Sequence, residues 1–164
     1  PGADANASGT VAVTMLAEMF TAIKSIGRTY GTNIIFAGLD AKEHGMAGSE
    51  ALWNSIKEGC LTDPMTGKKI TREKIRMMVN IDQIGSTLAP VDKNREDYII
   101  MLGSQTLDAY QKDMLLTCNK MYDIGLDISL TYYGSRQFTD LFWKITDQKI
   151  FADNRIPSVM FTSR

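Results

Sequence analysis

Four side chains able to do chemistry crowd one short stretch: Asp40, Lys42, Glu43 and His44, with Gly45 and Gly48 just beyond them. Carboxylates grouped this closely can hold a cation or move a proton. They follow Ile34-Ile35-Phe36-Ala37, an apolar run of strand length, and precede a helical pattern that begins near Met46. Open α/β sheets carry their sites at such places, at the carboxyl end of a buried strand and ahead of a helix. A solvated, charged turn is the plain alternative, and this stretch alone does not choose between them.

A third carboxylate, Asp82, closes the run Arg76–Gln83, RMMVNIDQ, which reads as another buried strand. Lys42 beside Asp82 would allow a lysine nucleophile, but nothing in the sequence lowers the affinity of that amine for its proton. His44 is the chain's one histidine and reads as a turn residue that packs or hydrogen-bonds. No G-x-S-x-G elbow, P-loop or dinucleotide fingerprint occurs. Cys60 and Cys118 lack metal-ligand spacing; they form either one disulfide or two buried free thiols.

The elements that must position these residues fit a globular domain. The 164 residues are 44% hydrophobic, enough for a sizeable core. A net charge of -1 argues against nucleic acid or an anionic membrane surface as partner. No apolar run approaches the ~20 residues of a membrane span. Ten methionines spread along the chain read as core filler.

In chain order, Pro1–Gly9 is a loop with Asn6 or Ser8 near a helix cap. Val13, Leu16, Met19, Phe20, Ile23 and Ile26 recur at helical steps, and Tyr30-Gly31 should stop that helix. A strand over Asn33–Leu39 is expected next, then a helix from about Met46 to Lys57, a loop over Cys60–Lys69 and the strand Arg76–Gln83. Gly85–Glu96 is a polar loop. Further strands are expected at Tyr98–Leu102, Asp127–Tyr132 and Ile156–Phe161. Leu107, Tyr110, Met114, Leu115, Cys118 and Met121 mark a third helix, and Phe138, Leu141, Phe142 and Ile145 a short fourth. Strands alternating with helices predict a mostly parallel sheet.

Three stretches in order carry a resemblance: PGADANASG opening a helix, LDAKEHGMAGSEALW after the next strand, and VNIDQIG at the end of the following one. Together they resemble the co-catalytic zinc aminopeptidases, a family that includes bacterial leucyl aminopeptidases, glutamate carboxypeptidase and the transferrin receptor ectodomain. TDQKIFADNRIPSVMF is similar to a looser family segment, SDHxxF followed by GIP. The resemblance implies a three-layer αβα fold with a mostly parallel sheet, and a single domain over residues 1–164 that is truncated at both ends, so the sheet is incomplete.

Each family role falls on a residue here. Two zinc ions are bound by two histidines and three carboxylates, and a glutamate next to a ligand acts as general base. The bridging aspartate precedes x-x-S-G, which places Ala5 there, with Asp4 one residue away. The Glu-Glu pair becomes Lys42-Glu43, so Glu43 keeps a ligand position and Lys42 replaces the base. Asp82 keeps the third carboxylate. Asp147 follows Thr146 as in the family's Ser-Asp, with Gln148 where histidine is common, and the resemblance puts Asp147 and Gln148 near a bound substrate. The family's histidine ligands are expected outside these 164 residues.

A methyl group binds no metal, and lysine, titrating ordinarily near 10.4, is a poor base at neutral pH. The expected function is therefore a non-catalytic domain that binds a peptide or protein, with zinc absent or weakly held. The alternative is an active zinc aminopeptidase whose histidines lie elsewhere in a longer chain. Family habit implies a secreted or periplasmic, bacterial setting. The Lys42 ammonium is expected to stand in for the lost metal charge and pair with Asp82, Glu43 or Asp4.

Overall fold

A computed structural model describes residues 6–85 and 97–163. The order of elements is α1 (Ser8–Ser25), α2 (Ala47–Lys57), β1 (Met78–Ile81), β2 (Tyr98–Leu102), α3 (Ala109–Met121), β3 (Asp127–Ser129), α4 (Arg136–Lys144), α5 (Gln148–Asp153) and β4 (Ser158–Thr162). The strands form one sheet in the order β1-β4-β2-β3. β1–β4 and β2–β3 pair parallel, and β2–β4 pair antiparallel. The mostly parallel α/β sheet expected from the sequence is therefore present.

Helices cover both faces. Alternation along the strands sends Met78, Ile100, Leu102 and Met160 to one face, where α2, α5 and α4 supply Trp53, Ile56, Phe151, Phe142 and Trp143. Met101, Val159 and Phe161 point to the other, against Leu115 of α3. The two central strands are apolar on both faces, and Ile100, Met101, Leu102 and Val159 are at most 1% exposed. Asp108 caps α3 through a reciprocal capping box with Gln111.

Four expectations are corrected. Asn33–Leu39 forms no strand, because its backbone has no ladder partner among the described residues. Ile34, Ile35 and Phe36 stay 46%, 52% and 37% exposed, and Phe36 meets Phe20 in a tilted ring pair with centroids 6.0 Å apart. Helix α1 ends at Ser25 rather than at Tyr30-Gly31, since Gly27 takes the left-handed conformation (φ 87°) that closes it. Of the methionines, Met101 and Met160 are buried, whereas Met15, Met19, Met65, Met114 and Met121 are exposed. The cysteines are both free, and Cys60 is exposed rather than buried.

Candidate functional site

The site is built at the carboxyl end of β1. Asp82 lies one residue past that strand and extends its ladder, its N–H donating to the Phe161 carbonyl at 3.0 Å. One side chain ties this strand end to the start of α1. Asn6 Nδ2–H donates to the Ile81 carbonyl at 3.1 Å, and Asn6 Oδ1 accepts from the N–H groups of Gly9 at 3.0 Å and Gln83 at 2.9 Å. The helix packs so close that a Cβ on Gly9 would stand 2.0 Å from Asn6 Oδ1 and 2.4 Å from the Ile81 carbonyl oxygen. That contact explains glycine in the S-G element.

A tight turn brings the charged stretch to the same place. Lys42–His44 is one 3-10 turn, bracketed by left-handed Ala41 (φ 54°), Gly45 (φ 74°) and Met46 (φ 62°). The His44 N–H donates to the Ala41 carbonyl and the Met46 N–H to that of Lys42, both at 3.0 Å. Helix α2 then passes against Asp40, where a Cβ on Gly48 would lie 2.6 Å from the Asp40 carbonyl oxygen. Asn6 and Gln83 are left-handed as well. Each such non-glycine costs of order 1–3 kcal/mol and persists only where its surroundings impose it, a condition met mainly at functional sites.

The turn aims Lys42 at the strand end. Its ammonium forms an ion pair with Asp82 Oδ2, the two side chains being 28% and 4% exposed. The other carboxylate oxygen, Asp82 Oδ1, is buried and has no hydrogen-bond partner among the described residues. Asp147, just ahead of α5, is buried too, and its Oδ1 is likewise unpartnered. Burial pushes Asp147 above the ordinary carboxylate range; the Ser49 hydroxyl and the Lys42 ammonium pull it back, while the charges of Asp82 and Glu43 raise it further. Lys42, Asp82, Asp147 and Ser49 thus share one electrostatic neighbourhood.

Beneath it lies a polar layer. Asn80, on the same face as Asp82 by the two-residue period, donates from Nδ2 to Gln148 Oε1 at 2.9 Å. Gln148 Nε2–H donates to the Thr146 hydroxyl. Gln148 is fully buried, leaving no exposed surface to offer a substrate. Glu43 and His44 are exposed. Asp4 and Ala5 lie outside the described residues. Asn6, Ser49 and Asn80 were not singled out by sequence reading. Asn6 alone had a signal, as a cap candidate; the other two are brought to the site only by packing.

Over residues 1–164 the sequence matches the family model of peptidase family M28. The chain belongs to that family. It is a metallopeptidase-like domain of the co-catalytic zinc aminopeptidase family, whose members depend on zinc. No curated protein and no solved structure matches it. In this M28 chain the described residues do not fit a pair of zinc ions. Among them no three His, Cys, Asp or Glu side chains converge as a metal-binding group. Asp82 Oδ2 carries the Lys42 ammonium.

Proposed function

We propose that this M28 domain is non-catalytic and binds a peptide or protein chain in place of hydrolysing it. One observation carries the proposal: the ammonium of Lys42, the residue that the family resemblance puts at the general-base position, is paired with Asp82. A protonated lysine cannot draw a proton from water, and its charge repels a dication beside it. Loss of base and metal together removes several kcal/mol of barrier lowering, which leaves recognition as the role of the domain.

The test is an assay of the chain on aminoacyl anilides and dipeptides, with and without added zinc. Turnover at the uncatalysed background is expected, with retained binding of short peptides in equilibrium dialysis. Zinc-dependent turnover that Lys42→Ala abolishes would instead identify an active aminopeptidase completed by ligands outside this stretch. Absence of peptide binding would overturn the recognition role.

A further inference from the structure

We infer that Lys42 is a tethered cation that occupies the place of a metal ion at Asp82 and keeps divalent ions out of it. The inference deepens the non-catalytic reading of the same site by naming what now fills its cation position. Asp82 has a 4% exposed side chain, and a carboxylate so buried requires a compensating charge. Lys42 supplies that charge from a turn whose backbone is fixed by two left-handed non-glycine residues, Ala41 and Met46, and by the close passage of Gly48 over Asp40. The ammonium is delivered by the chain itself, so its effective concentration is high and no dilution removes it.

The geometry also shows what the lysine leaves over. It engages Oδ2 of Asp82, while Oδ1 of Asp82 and Oδ1 of Asp147 are both buried without a partner among the described residues. A single ammonium is thus a weaker neutraliser than the surrounding acids could use. It donates only along three directions, whereas a metal ion draws oxygen donors from all sides. A divalent ion entering here would have to displace Lys42 or lie beside it. The first breaks the pair, and the second sets three positive charges together in a poorly solvated site. Without the ammonium, Asp82 is a buried carboxylate with no compensating charge from Lys42.

The experiment is thermal unfolding of the wild type, Lys42→Met and Lys42→Met/Asp82→Asn, each with zinc chloride alone and with a chelator. In Lys42→Met, zinc tenfold above its dissociation constant should raise the melting temperature by about 3–6 °C. The wild type should shift by less than about 1 °C, and the double variant should lose the gain. Should Lys42→Met fail to fold, Lys42→Gln removes the charge and keeps a polar head, and the same comparison applies. A wild type that is stabilised by zinc as strongly as the variant would overturn the exclusion. So would a single variant that gains no more than the double. Neither of those outcomes by itself gives peptide turnover, so failure here is distinguishable from failure of the non-catalytic reading.

Discussion

Replacing Lys42 by methionine keeps the length of the side chain and removes its charge, leaving Asp82 buried and alone. Opposite charges about 4 Å apart attract by roughly 4 kcal/mol at the effective dielectric constant of a protein boundary. Removing one partner of a fully buried pair costs about 3–5 kcal/mol, and of an exposed pair about 0–1. Asp82 is buried but Lys42 keeps 28% of its side-chain surface in solvent, so the cost falls between those limits. A loss of about 2 kcal/mol is expected, read in urea as a midpoint lower by about 1 M at a slope of about 2 kcal/mol per M. Asp82→Asn in the Lys42→Met background removes the stranded charge and should restore much of that loss. The double-mutant cycle should give a coupling of about 1–2 kcal/mol. A Lys42→Met cost below about 0.5 kcal/mol, or two strictly additive substitutions, would refute the pairing as an energetic feature.

Gly9→Ala forces a methyl group into the Ile81 carbonyl and the Asn6 amide, whose three hydrogen bonds are each worth about 1 kcal/mol, so a loss of about 3 kcal/mol or more is expected in chemical unfolding; an unchanged midpoint would contradict the close packing of α1 on β1. Asp147 is raised above its ordinary value of 3.8, so its contribution to stability is complete below that pH and is lost as the pH rises through the higher folded-state value. Asp147→Asn should therefore flatten this acid-side gain and stabilise the protein at neutral pH, and parallel pH profiles for the two proteins would refute it. Asn80→Leu strands Gln148 Oε1 in a fully buried layer at a cost of about 1–3 kcal/mol, whereas Asn80→Leu with Gln148→Leu should cost less than the two singles summed; thermal unfolding decides.

The sequence by itself determined the class of fold and the family. Buried strands such as Tyr98–Leu102 are legible because central strands must be apolar on both faces, and that pattern survives in a single chain. The spacing around Gly45 and Gly48 is legible because Gly45 takes a left-handed φ of 74° and a Cβ on Gly48 would strike the Asp40 backbone. Asn33–Leu39 has the composition of a strand and is none, since a strand is a relation to a neighbour and composition holds no information about the neighbour. The six-residue helix α5 escaped notice for another reason: it is too short to show a periodic face. At the site, the sequence set an ammonium and several acids within reach of one another. Only the tertiary structure decided that Lys42 meets Asp82 while Glu43 stays exposed, because the left-handed turn at Ala41 and Met46 sets the direction of each side chain. Ser49 and Asn80 join Asp147 and Gln148 for the same reason: helices α2 and α5 pack on one face of the sheet, and that packing is long-range in the chain.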